Sequence, residues 1–400
     1  MITIQKLFYF ILLLFVSIFS FSQDIKLSEE AKISIITYGP GDVLYEKFGH
    51  TAIRINDPML KLDLIYNYGI FDFTEKNFYL NFIKGYMKYR LARYRFPPSL
   101  KSYNKNKRWV KEQILNLNTQ QVNNFFKYIE NNAQPKNASY LYDPFFNNCS
   151  TKPRDIIKEI LGKSVIYKNN YTTSNNTIRE LMNREINTNT WGGLGINIAL
   201  GNKLDKIANS YEYMYLPDYV YQTLEKSSIL KEGKEENLVS KTNILLNYPE
   251  KQANSDKFGP LIVFSILLLF GIFISYQDIK KIKHTKWLDI ALLSITGVFG
   301  VLVIFLWFFT NHSTAPNNFN MLWAVPTNLI LAWELYKNKT SKWITHYVKI
   351  LLLFLLGFIP IVWILNIQLL PYSLIPLFLL LSIRYWVILK IYKKLRIANS

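Results

Sequence analysis

The chain has 400 residues and a formal net charge of +19; half of its residues are hydrophobic and a single one is cysteine. A lone cysteine excludes an internal disulfide framework, and the polar residues gather before Lys257 while long apolar runs follow it, which excludes a uniform soluble globule. The charge does not imply nucleic acid as partner, because the cations divide between short loops among the apolar runs and an exported region; anionic phospholipid headgroups fit them better.

Lys6 precedes an apolar run from Leu7 to Phe19, and Ser20-Phe21-Ser22-Gln23 places small residues where a signal peptidase reads them. Residues 1–22 are therefore expected to be a signal peptide, with an uncleaved anchor of the same orientation as the alternative. From Ile33 to Phe73 apolar residues alternate between turn signals, which predicts three strands at Ile33–Thr37, Thr51–Ile55 and Leu62–Tyr68. Helical spacing follows over Phe78–Tyr86, Lys107–Leu115 and Thr119–Glu130, the last capped by Thr119, and again after Cys149. The layout is α+β. The stripe Tyr86–Phe96 interleaves aromatics with cations and reads as a solvated amphipathic face or an interfacial surface. The exported domain is expected over 23–224, with a polar, lysine-rich linker over 225–257.

Residues 258–400 hold five apolar stretches: Phe258–Tyr276, Leu288–Phe309, Met321–Tyr336, Tyr347–Leu365 and Leu374–Ile391. Read as spans, they alternate lysine-rich loops (Lys280 to Lys286, Lys337 to Lys342, and the tail after Ile391) with the lysine-free segments Thr310–Asn320 and Asn366–Tyr372. The positive-inside rule puts the former and the C-terminus in the cytoplasm, and the exported domain with the latter outside it, in a multi-pass protein of the inner membrane.

Cys149 sits in Asn147-Asn148-Cys149-Ser150-Thr151, directly before an apolar-periodic run. A thiol at a helix N-terminus meets unpaired N–H groups and the positive end of the helix dipole, which favour thiolate. His50 opens the second strand after Phe48-Gly49, so a Cys/His pair for nucleophilic catalysis is expected, against the alternative of a buried structural cysteine. The four histidines are too scattered for a recognisable zinc site. No glycine-rich nucleotide fingerprint and no Gly-x-Ser-x-Gly occurs, so no cofactor is expected.

The ordered string Tyr38-Gly39-Pro40-Gly41-Asp42, Phe48-Gly49-His50, Asn67–Phe73 and Tyr142–Thr151 resembles the Lnb-type family. The likeness continues through Thr177–Leu181, Trp191–Gly201, Leu204-Asp205-Lys206 and Tyr213–Pro217, and in the membrane part through His312–Pro326. These are exported cysteine-dependent domains followed by membrane spans and associated with lipoprotein N-acyltransfer. The order of histidine and cysteine is similar to permuted papain-like (NlpC/P60-like) folds. The resemblance implies a phospholipid acyl donor, a Cys149 thioester made with His50 as base, and a diacylated lipoprotein acceptor. The Cys149 N–H is expected to hold the oxyanion with Asn148 as second donor. Asn67 or Asp72 would orient His50, with Asp42 and Asp143 also open, and His312 with Asn317, Asn318 and Asn320 would handle lipid at the outer mouth of the spans. The competing readings are an exported Cys/His hydrolase, either phospholipase or peptidase, and a non-enzymatic envelope assembly factor.

Overall fold

A computed structural model describes residues 25–168, 175–337 and 342–398; the expected signal peptide lies outside them. Strands β1 (Lys32–Tyr38), β2 (His50–Asp57) and β3 (Leu62–Ile70) contain the three expected strands, and the short helix α1 (Phe78–Ile83) leads into β4 (Lys88–Arg95). Helix α2 (Phe96–Lys105), strand β5 (Val110–Leu115), helix α3 (Thr119–Ala133), strand β6 (Ser139–Leu141) and helix α4 (Thr151–Leu161) follow. Strand β7 (Val165–Ile166), helices α5 (Ile178–Glu185), α6 (Trp191–Ala199), α7 (Ser210–Tyr213) and α8 (Pro217–Lys226), and strands β8 (Ser228–Lys231), β9 (Lys234–Asn237) and β10 (Val239–Leu246) complete the domain.

The main sheet is antiparallel in the order β10-β5-β1-β2-β3-β4-β6. Strand β1 is covered on both faces because its alternate residues point to opposite sides. Ile33 and Ile35 join Ile53, Ile55, Phe125 and Ile157 in the core under α3 and α4. Ile36 and Tyr38 join Ala52, Ile65 and Phe96 in a smaller cluster under α2.

Several expectations change here. Residues 107–115 were expected to be helical, and their second half is β5, an interior strand between β1 and β10. Its run of Val110, Ile114 and Leu115 mimics helical spacing, because Glu112 on the same strand is buried against Arg54 of β2 at 2.9 Å, a partner remote in sequence. Helix α1 stops at Ile83, since Gly85 takes a φ of +77° that ends it. Asn118, not Thr119, caps α3, accepting from Gln121 N at 2.8 Å. The segment 225–257, expected as a linker, supplies β8 to β10, and β10 seals an edge of the main sheet.

In the membrane part, α9 (Pro260–Lys281), α10 (Lys286–Phe308), the continuous run Trp343–Ile364 and the run Tyr372–Lys393 are four helices long and apolar enough to cross a membrane. The third expected span is not one of these continuous helices, yet it still returns along α10, with Gly297 against Leu329 and Asn328 Nδ2 donating to Thr296 Oγ1 at 2.9 Å. It forms a 3-10 turn at Phe319–Leu322, a non-helical stretch and the short helix α11 (Asn328–Tyr336). Backbone without regular hydrogen bonding is tolerated at such a depth only where protein covers it. Gly300 of α10 provides that cover: a Cβ there would stand 2.4 Å from Ala324 O and 2.6 Å from Pro326 N. Helices α12 (Lys342–Leu353) and α13 (Ile359–Ile364) are joined through a π turn at Phe354–Phe358, and α14 (Ile375–Ala398) packs against α9 and α12. Arg384 of α14, almost fully buried, pairs with Asp289 at 2.7 Å and Asp278 at 2.9 Å.

The two parts are pinned together. Gly201 N donates to Thr314 O at 2.8 Å and Asn318 Nδ2 to Ile198 O at 2.7 Å. Asp205, paired at 2.9 Å with the buried Arg179, also accepts from Leu369 N.

Candidate active site

Cys149 precedes α4, and the turn that presents it is held by its neighbour. Asn148 Oδ1 accepts from Ser150 N at 2.8 Å and Thr151 N at 2.9 Å, satisfying two of the orphan donors that begin a helix. The Asn148 amide nitrogen donates to Pro144 O and Tyr215 O at 2.8 and 2.9 Å. Both of its hydrogens are thus committed, so the expectation that Asn148 serves an oxyanion is corrected: it builds the turn. The N–H of Cys149 itself donates to no acceptor among the described residues.

His50 arrives from β2 and meets the thiol. Gly49 before it has a φ of +72° and lies so close to Tyr38 O that a Cβ would stand 2.6 Å away, a passage only glycine makes without strain. Asn67 of β3, buried, holds His50 Nε2 through its Oδ1 at 3.1 Å. A proton on Nε2 suits the Asn67 Oδ1 acceptor and leaves Nδ1 as the nitrogen free to serve the sulfur. Of the four groups considered for orienting His50, Asn67 is the one in contact. Asp72 is an exposed turn residue accepting from Thr74 N and Oγ1, Asp42 pairs with Lys251, and Asp143 accepts from Phe145 N and Phe146 N.

Burial by itself drives the Cys149 thiol upward, but the His50 charge, its hydrogen bond to the sulfur, the Thr51 N–H and the Ser150 hydroxyl outweigh it and hold the thiol below its ordinary range. Burial likewise pushes His50 down, and the Cys149 charge and the hydrogen bonds to Cys149 and Asn67 carry it above the usual histidine range. Both shifts run in the direction that favours a thiolate beside an imidazolium. Burial first, and the thiolate with it, also raises the phenols of Tyr140 and Tyr142, so protonated rings surround the sulfur.

Residues that stand in the quoted motifs and strands without a role of their own complete the site. Thr51 Oγ1 and Ser150 Oγ, 3.2 Å apart and buried, latch β2 to the cysteine turn. Gly69, at a φ of +88°, leaves room beside the sulfur, since a Cβ there would meet Tyr142 at 3.3 Å and the Cys149 Cβ at 3.7 Å. The bulge in the β3–β4 pairing between Asn67 and Ile70 is the signal, and strand alternation alone does not reveal it.

His312 is placed on the loop that follows α10, its ring edge-on to Phe82 at 6.5 Å. Nearby Ser313 hydrogen-bonds Asp143, which joins that loop to the cysteine turn. Asn318 and Asn320 are buried and bond to Ile198 O of α6, so they tie the two parts together, while Asn317 is exposed. No group of histidine, cysteine and carboxylate that could hold a metal occurs among the described residues.

Comparison with known proteins agrees with this two-part arrangement. Residues 22–184 match the family model described as the Lnb N-terminal periplasmic domain, and residues 251–395 match that of the Lnb transmembrane domain. No curated protein and no solved structure matches the chain.

Proposed function

The chain belongs to the Lnb family, a membrane protein with a periplasmic N-terminal domain, and from that premise we propose that it moves an acyl chain from phospholipid to the α-amino group of diacylated lipoproteins through a thioester on Cys149. The observation that carries the reading is the Cys149 thiol at the start of α4 against His50, itself held by Asn67.

Cys149 Sγ, as thiolate, attacks an ester carbonyl carbon of the phospholipid. The oxyanion that forms is held by the Cys149 N–H. Its collapse breaks the carbon–oxygen bond, and His50 Nδ1 gives its proton to the departing alkoxide, releasing a lysophospholipid. The neutral amine of the lipoprotein then attacks the thioester; as the carbon–nitrogen bond forms and the carbon–sulfur bond breaks, His50 takes the amine proton and the thiolate–imidazolium pair returns. A thioester keeps the acyl group reactive toward an amine, and a water-poor position at the membrane suppresses hydrolysis. The cytoplasmic C-terminus and the outer placement of the 310–320 loop belong to the same proposal.

Intact-mass analysis of lipoproteins tests it. Cells with the parent chain should carry triacylated lipoproteins, and cells with Cys149→Ser only diacylated ones. Normal triacylation with Cys149→Ser removes the thioester. Release of free fatty acid without N-acylation makes the protein a hydrolase.

A further inference from the structure

Between β3 and β4 the domain displays an apolar surface that its own core does not use. No side chain of α1 is buried. Phe73, Tyr79, Leu80, Phe82, Ile83 and Tyr86 are all about half exposed or more. A six-residue helix with no buried side chain is below the length at which helices stand alone in water, and a contiguous apolar patch of this kind marks a binding surface.

What covers it is indicated by what adjoins it. Asn311 N donates to Lys84 O at 2.8 Å, and Gly85 approaches so closely that a Cβ would sit 2.6 Å from His312 N. These residues directly follow the outer end of α10, where Phe308 and Phe309 are among the most exposed rings of the molecule. The patch is therefore continuous with the apolar belt of the spans. Exposed Lys76, Lys84, Lys88 and Arg90 rim it, outnumbering Asp72 and Glu75, as headgroup phosphates require.

In the other direction the rings lead to the thiol. Phe78 stacks toward Phe71 at 6.0 Å, Phe71 contacts Tyr89 at 5.0 Å and Tyr89 stacks on Tyr142 at 4.5 Å. Tyr142 packs at Gly69, which backs Cys149. A small cleft beside these rings mixes Phe78, Phe82, Tyr86 and Met87 with the polar Glu75, Asn81 and Lys88 in its lining.

We propose that the segment from Phe71 to Tyr86 lies in the periplasmic leaflet of the bilayer that the chain itself crosses, and that its aromatic face receives phospholipid acyl chains and leads them to Cys149. The second half of this statement rests on the acyl-transfer reading; the first does not.

The test uses the full-length protein in nanodiscs of phosphatidylethanolamine and phosphatidylglycerol. In a Cys149→Ser background, Leu80→Cys and Lys234→Cys are each labelled with an environment-sensitive fluorophore, Lys234 lying on the hairpin beyond the far end of the sheet. Lipids brominated in the acyl chain should quench the label at position 80 several-fold more than that at 234, and iodide should show the reverse order. Equal quenching at the two positions overturns the membrane placement. With the thiol restored, Phe82→Asp combined with Ile83→Asp should lower transfer from vesicle phospholipid roughly tenfold or more, since each carboxylate opposes insertion. The reaction of Cys149 with water-soluble p-nitrophenyl acetate should persist and certifies the fold. Undiminished transfer in that variant overturns the acyl-chain path. A parent protein inert to the soluble ester defeats the thioester reading while leaving the quenching result to stand by itself.

Discussion

At the scale of single residues, the sulfur of Cys149 is governed by opposing effects of burial and charge, and His50 decides between them. The thiol is moved down and the imidazole up from their ordinary values, each toward the ion pair. Alkylation by iodoacetamide should therefore begin at a pH below the ordinary thiol range. In His50→Ala only burial and the weaker hydrogen bonds remain, so the inflection should move to higher pH and the rate near neutrality should fall. An unmoved alkylation profile in His50→Ala would show that the pair does not exist. Asn67→Ala should leave the fold intact and reduce transfer by about 10–100-fold, the usual cost of losing a group that fixes a histidine tautomer, and Asn67→Asp should recover part of it. Asn148→Ala loses a helix cap and two carbonyl partners and should cost about 2 kcal/mol of stability, read as a lower melting point with or without substrate. His312 remains a candidate for contact with lipid, and its place beside Phe82 makes it part of the surface inferred above.

At the scale of elements, local pattern succeeded where an element's partners are near in sequence or its face is simple. Strands β1 to β3 alternate visibly, and α4 announces itself through its apolar stripe. It failed at β5, whose charged Glu112 is neutralised across the sheet by Arg54. The same holds for β10, whose residues read as polar linker because an edge strand needs only one covered face. The third apolar stretch of the membrane part is the instructive case. Met321–Tyr336 has the composition of a span, yet Pro326 and the contact with Gly300 keep its first half out of a helix. Gly300→Val should force α10 away from Ala324 and Pro326 and cost about 1–3 kcal/mol, as overpacking does, seen as earlier unfolding in detergent. A variant as stable as the parent would mean that the stretch yields without strain.

At the scale of the whole molecule, the periplasmic domain and the bundle meet through Arg179–Asp205, Gly201–Thr314 and the asparagines of the outer loop, which fixes the cysteine turn beside the spans. At the opposite end of the bundle, Arg384 with Asp278 and Asp289 gathers α9, α10 and α14. Arg384→Leu strands two buried carboxylates and should destabilise by about 3–5 kcal/mol, the cost of breaking rather than replacing a buried pair; the readout is loss of the monodisperse protein in detergent. Orientation has its own test. In a Cys149→Ser background, an impermeant thiol reagent added from the periplasmic side should label Asn311→Cys and not Lys281→Cys, and the reverse pattern would invert the topology.

The two-part design, the identity of Cys149 and His50 as a pair, and the family itself are written in local features: a leader-like run, apolar stretches with alternating loop charge, and short motifs that survive without knowledge of contacts. Asn67 could be named from sequence only as one of several polar residues, because what selects it is the bulge at Gly69 and the return of β3 beside β2. The donor capacity of Asn148 was overestimated for the same reason: its hydrogens are consumed by Pro144 O and by Tyr215 O, and the second lies sixty-seven residues away in the chain. Hydrogen bonds and ion pairs between distant segments have no periodicity to read, so the tertiary structure alone decided which polar groups are spent on the fold and which are left for chemistry.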